Sequence, residues 1–126
     1  MKISILMEKP VLRIAEDASA LEAAVMMGKN HVGSLLATRS DANIGIITER
    51  DIMSKVIANK RNLETVQIKE ILSQPIVTID QDTDVEKVIE FMAEKGIRRI
   101  LLTEKEQIVG IFSTSDIIKL PMLNQQ

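Results

Sequence analysis

The segment Gly45-Ile46-Ile47-Thr48-Glu49-Arg50-Asp51-Ile52 returns 65 positions later as Gly110-Ile111-Phe112-Ser113-Thr114-Ser115-Asp116-Ile117. The same offset carries Ile3 to Ile68, Pro10 to Pro75, Ile14 to Ile79, Asp17 to Asp82, Met27 to Met92 and Thr38 to Thr103, without a gap. Self-similarity at a fixed period defines the structural unit before any propensity is consulted, so the chain is built from two copies of one motif. A unit of about 60 residues buries too little surface to be robust alone. Two intimate repeats are therefore expected in the 126 residues, with 1–58 as the first motif, 59–66 as a short polar linker and 67–126 as the second.

Each repeat reads as strand, helix, strand, strand, helix. The runs Val11-Leu12-Arg13-Ile14 and Ile76-Val77-Thr78-Ile79 follow a proline and precede polar turn residues, as strands do. Ala20, Ala23, Ala24 and Met27 lie at helical spacing, and Val85, Val88, Ile89 and Met92 repeat that apolar face. Ser19 with Glu22 and Thr83 with Glu86 have the spacing of capping boxes. The runs Ser34–Thr38 with Ile44–Ile47, and Arg99–Thr103 with Ile108–Phe112, are apolar and flank short polar turns, which predicts hairpins buried on both faces. A second helix opens at Thr48 and at Ser113. The expected class is α/β (α+β), as two β-α-β-β-α repeats.

Composition removes several functions. With net charge −2 and acids interspersed with bases, the chain lacks the electrostatic footprint of a nucleic-acid binder, and with no Trp or Tyr it lacks the usual stacking platforms. It has no cysteine and one histidine, His31, so thiolate chemistry and thiolate metal sites are absent and no metal site is expected. No apolar run approaches the roughly 18 to 20 residues needed to span a bilayer, and the N-terminus does not read as a signal peptide, so a cytoplasmic location is expected. No nucleophile–base constellation or paired carboxylates stand out, which points away from an enzyme.

The motif at the strand-to-helix junctions has two readings. Thr48 with Asp51, and Ser113 with Asp116, fit a helix cap. They also fit a binding site. A helix N-terminus favours phosphate, an Asp there accepts hydrogen bonds from vicinal hydroxyls, and a glycine inside a strand (Gly45, Gly110) marks close approach of a backbone or a ligand.

Gly-hydrophobic-hydrophobic-Thr/Ser-x-x-Asp, present twice and preceded each time by a Pro-strand-helix pattern, resembles the tandem CBS (cystathionine-β-synthase) motif pair over nearly the whole chain. The resemblance implies a non-catalytic regulatory module whose two motifs pack through their sheets about a pseudo-two-fold axis. It implies clefts for AMP, ADP, ATP or S-adenosylmethionine, held as regulatory ligands with no required cofactor. Asp51 and Asp116 would hold ribose hydroxyls, and Thr48 and Ser113 would donate to phosphate. Basic residues at the start of the opposite motif's second strand meet phosphates in such proteins. Those positions are Arg98 and Arg99 in the second repeat but Gly33 and Ser34 in the first, so the Asp51 cleft is expected to be the anion-binding one, with Arg50 adding to it.

The resemblance further implies a homodimer and signalling to a separate regulated protein. The alternative is a dimerisation or scaffold module without occupied nucleotide sites. Ile52, Val56, Ile117 and Ile118 are candidates to line either the dimer interface or the internal one, and the apolar tail Leu120-Pro121-Met122-Leu123 is a candidate for docking on the body or on a neighbour. Met26, Met27 and Met92 read as core, His31 as a surface turn residue, and Lys9 and Arg13 as either phosphate contacts or surface charge.

Overall fold

The computed structural model describes residues 1–119, so the tail Leu120–Leu123 lies outside the described residues. The chain forms two compact units, Leu12–Ile76 and, for the other, Met1–Val11 together with residues 77–119. Each unit holds a three-stranded mixed sheet with helices, the α/β class expected.

In the unit Leu12–Ile76, β1 (Arg13–Ala15) runs parallel to β2 (Ser34–Arg39), with α1 (Ala20–Asn30) as the crossover, and β2 pairs antiparallel with β3 (Ala42–Thr48). After β3 comes α2 (Glu49–Ile52), continued by a π-helical turn (Met53–Ile57), and then the short α3 (Ile68–Ile71). The other unit repeats the pattern with β4 (Thr78–Asp80), α4 (Val85–Lys95), β5 (Arg99–Glu104) and β6 (Gln107–Ser113). There, 3-10 helices at Ile3–Leu6 and Thr114–Lys119 stand where α3 and α2 stand in the first. Both sheets carry a register shift at the same point, after Ala37 and after Leu102. The first strands begin two residues later than their apolar runs, because only Arg13–Ala15 and Thr78–Asp80 find parallel partners.

Helix α1 buries Ala20, Ala23 and Met27, and α4 buries Val85, Val88 and Met92, the predicted faces. The outcome at their N-termini differs. Ser19 caps α1 by accepting from the Glu22 N–H at 3.0 Å. The expected Thr83–Glu86 box does not form: the N-cap is Asp84, with no side-chain hydrogen bond. A backbone carbonyl does part of the work, since the Val85 N–H donates to the Met1 carbonyl at 2.9 Å as the Ala20 N–H does to that of Val66 at 2.8 Å. At their C-termini both helices end in a left-handed residue, His31 (φ 53°) and Gly96 (φ 67°).

The segment before each first strand supplies core to the unit of the other repeat. Val66, Ile68 and Ile71 are buried with Ile14, Ala23, Leu35, Ile47 and Val56, while Ile3 and Leu6 are buried with Val88, Ile100, Leu102 and Phe112. Leu35-Leu36-Ala37 and Ile100-Leu101-Leu102 are buried without interruption, as strands covered on both faces require. Met27 and Met92 are core residues of their own units, and Met26 packs against the core that holds Met27, whereas His31 is exposed.

Candidate functional site

Among the described residues the buried polar side chains are Thr48, Asp51 and Asp116, three of the residues singled out by the repeated motif. A buried charge is expensive unless its lone pairs are satisfied, so each position must be tied into local structure.

At the first junction β3 delivers Thr48 to the start of α2, where it is the N-cap. Its hydroxyl accepts from the Asp51 N–H at 3.1 Å, and Asp51 Oδ2 accepts from the Thr48 N–H and hydroxyl, each at 3.0 Å. The Glu49 N–H donates to the Gly33 carbonyl at 3.1 Å. The capping reading of Thr48–Asp51 is therefore realised in full. Two groups not anticipated from the sequence complete the shell around Asp51, which is 6% exposed. The Ser73 hydroxyl donates to Oδ1 at 3.1 Å and lies 3.3 Å from Oδ2, and Lys55 Nζ lies 3.0 Å from Oδ1. Lys55 is itself anchored, donating to the Ile71 carbonyl at 2.8 Å. Arg50 is exposed on the same turn.

At the second junction the Ser113 N–H donates to Asp116 Oδ2 at 2.8 Å, but the Ser113 hydroxyl turns to Ser115, accepting from its N–H at 3.3 Å and lying 3.0 Å from its hydroxyl. The cap is thus reorganised around Ser115, and the helix that follows is 3-10. Arg99 is the backbone partner of Ser113, and the Arg98 carbonyl accepts from the Thr114 N–H at 2.9 Å. Arg98, Arg99, Ser113 and Asp116 therefore gather in one unit, and Thr48, Arg50 and Asp51 in the other.

The strand glycines answer to packing. A Cβ on Gly45 would stand 2.8 Å from the Ser73 carbonyl oxygen and 2.7 Å from Leu72 Cδ1, and one on Gly110 would stand 2.5 Å from Met7 Sδ. Both are places where the segment leading into a first strand, β4 or β1, lies against a unit's last strand. Ile46 and Ser73 exchange two backbone hydrogen bonds at 3.0 and 2.8 Å, and Ile111 and Glu8 do the same at 3.0 and 2.8 Å. The glycines therefore need no ligand to explain them.

Lys55 was legible as an i,i+4 partner of Asp51. Ser73 was not, because its counterpart at the repeat offset is Glu8 and a hydroxyl in one copy does not predict a carboxylate in the other. Lys9 and Arg13 are exposed. Of the residues read as lining either the dimer or the internal interface, Ile52 and Val56 are buried in the core of their own unit and Ile117 packs against the core of the other, while Ile118 is exposed. The exposed apolar positions on the helix after β3 are instead Met53 and Ile57. A hollow of about 200 Å³ is lined by Ala24, Met27, Gly28, Glu49 and Ile52, and one of about 500 Å³ by Leu21, Val25, Met26 and neighbouring polar residues of α1. Neither is lined by Thr48 or Asp51. Among the described residues no group of three or more His, Cys, Asp or Glu is placed to hold a metal ion, and no helix is long and apolar enough to cross a membrane.

Two copies of one β-α-β-β-α motif, each closing on an acidic residue buried at a strand-to-helix junction, define a tandem-repeat α/β architecture. The CBS domain profile matches residues 3–58 and 68–122, and the chain belongs to the CBS-domain family. An uncharacterized protein of Methanopyrus kandleri is 35% identical over 103 residues, covering 80% of this chain and 53% of that one. The chain thus spans about half the length of that relative. A crystal structure of an uncharacterized conserved protein from Pyrococcus horikoshii superposes with a TM-score of 0.83 at 30% identity, covering 95% of this chain and 91% of that one. The hexameric CBS-CP12 protein of bloom-forming cyanobacteria gives a TM-score of 0.84 at 28% identity, over 94% and 69%.

Proposed function

We propose that the chain is a sensor of adenosine nucleotides or adenosyl compounds, AMP, ADP, ATP or S-adenosylmethionine, which it binds without catalysis and reports to a separate protein. The observation that carries the reading is the confinement, among the described residues, of buried polar side chains to Thr48, Asp51 and Asp116, within the repeated motif of a family in which nucleotide ligands are typical. In this reading Asp51 and Asp116 take ribose hydroxyls, Ser113 donates to phosphate while the Thr48 hydroxyl, expected from the sequence to do the same, stays on Asp51 as part of the helix cap, and Arg98, Arg99 and Arg50 supply the cationic charge. Self-association, as a homodimer, is part of the proposal, and the hexameric CBS-CP12 relative supports it in kind.

The test is dye-monitored thermal unfolding against AMP, ADP, ATP, S-adenosylmethionine and GMP, since the chain has no Trp or Tyr for intrinsic fluorescence. Ligand at about 100 times its dissociation constant stabilises by about 2.7 kcal/mol. A selective shift that falls with Asp51→Ala or Asp116→Ala, and for phosphorylated ligands with Arg99→Ala, supports the sensor. A second reading, a scaffold without occupied nucleotide sites, is favoured by the complete internal hydrogen bonding of Asp51. It predicts self-association in light scattering and no shift with any of these compounds.

A further inference from the structure

A carboxylate offers about four lone-pair positions, and at Asp51 four donors fill them: the Thr48 N–H and hydroxyl on Oδ2, and Lys55 Nζ and the Ser73 hydroxyl on Oδ1. A vicinal diol reaching this carboxylate must take at least one of those places. The two Thr48 donors belong to the helix cap, and giving them up would undo the start of α2. Lys55 is held from its other side by the Ile71 carbonyl. Ser73 differs from all three. It is exposed, it comes from a separate segment, and its backbone is docked by its own pair of hydrogen bonds to Ile46, which do not involve its hydroxyl. Its O–H is also the same chemical group as a ribose hydroxyl.

We infer that Ser73 is an internal stand-in for a ligand hydroxyl at Asp51: a ribose diol enters the first-repeat site by displacing the Ser73 hydroxyl, while Lys55 stays and fixes the carboxylate's orientation. The inference rests on the proposal that Asp51 binds ribose, and adds the residue that sets its affinity. Binding and the Ser73–Asp51 hydrogen bond then exclude each other, so by linkage each weakens the other equally. Occupancy at Asp51 thereby becomes a change in how the segment after α3 is tied down. The device belongs to the first repeat, because Glu8, which makes the matching backbone pair with Ile111, carries a carboxylate and not a hydroxyl.

The test is calorimetric titration of the full chain and its Ser73→Ala and Ser73→Thr variants with AMP, ATP and S-adenosylmethionine. Each variant's thermal unfolding is recorded alongside. Losing a competing hydrogen bond to a charged acceptor is expected to tighten binding to Ser73→Ala about tenfold. Ser73→Thr keeps the hydroxyl and is expected to bind as the wild type does. Binding by Ser73→Ala where the wild type is silent also supports the stand-in. Wild-type binding that Ser73→Ala leaves unchanged or weakens overturns the inference and leaves the nucleotide reading standing. Failure of all three proteins to bind any of the three compounds overturns both.

Discussion

Gly45 and Gly110 hold corresponding places in the two repeats, yet a methyl group meets different neighbours at each. At Gly45 it runs into a backbone oxygen, that of Ser73 at 2.8 Å, which is itself fixed by the pairing with Ile46. At Gly110 all three nearest atoms belong to the flexible Met7 side chain. Gly45→Ala is therefore expected to destabilise by about 1–3 kcal/mol, the usual range for overpacking, and Gly110→Ala by less than about 1 kcal/mol. Denaturant unfolding of the two variants checks the difference, and equal losses would contradict it. The same comparison shows why a strand glycine is a weak sign of a ligand: in the sequence it marks a close approach, but the chain's own segments 72–74 and Met7 make that approach.

Among the elements, the two hairpins turn through pairs of left-handed residues, Ser40-Asp41 (φ 47° and 68°) and Lys105-Glu106 (φ 50° and 67°). Two consecutive positive φ values suit a two-residue hairpin loop, where Asn-Gly is the favoured pair and side chains such as Lys and Glu are strained. Replacing Lys105-Glu106 by Asn-Gly is expected to stabilise by about 1 kcal/mol and raise the melting temperature by about 3–6 °C. A lower value in a thermal scan would show that the present pair is not strained. Helix α3 has a different sensitivity. Glu70 Oε2 accepts from the Gln67 N–H at 2.7 Å and its other oxygen meets Arg61 at 2.6 Å, which together hold the carboxyl below its ordinary range. The folded chain then binds fewer protons there than the unfolded one, so this stabilisation is present above about pH 5 and fades as pH falls through the carboxylate range. Glu70→Gln is expected to lower the melting temperature at pH 7 while leaving it near the wild-type value at about pH 3, and a loss that persists at pH 3 would assign it to packing. The helices and hairpins were legible because helical spacing and continuous apolar runs are local. The α4 cap was not, since the carbonyl that receives the Val85 N–H belongs to Met1, far away in sequence.

For the whole molecule, the repeats read from the sequence and the compact units of the structure are offset from each other. Periodicity fixes how often the motif occurs, but a period has no beginning, and the 65-residue offset is equally consistent with units cut anywhere along it. The cut is decided by burial. Ile68 and Ile71 enter the core of Leu12–Ile76, and Ile3 and Leu6 the core formed with α4, β5 and β6. The candidate site inherits this arrangement, because Ser73 reaches Asp51 only by lying in the unit of the first repeat while belonging, by sequence, to the second. Truncating a fully buried isoleucine to alanine costs about 2–5 kcal/mol, and in native-state hydrogen exchange a loss of that size shows first in the cooperative unit that contains the residue. Ile68→Ala is therefore expected to speed exchange in α1, β2 and β3, which precede it by tens of residues, and Ile3→Ala to do so in α4, β5 and β6 at the other end of the chain. If each substitution instead acted first on its own neighbours in sequence, the units would follow the repeats, and the segment that carries Ser73 would not be tied to Asp51.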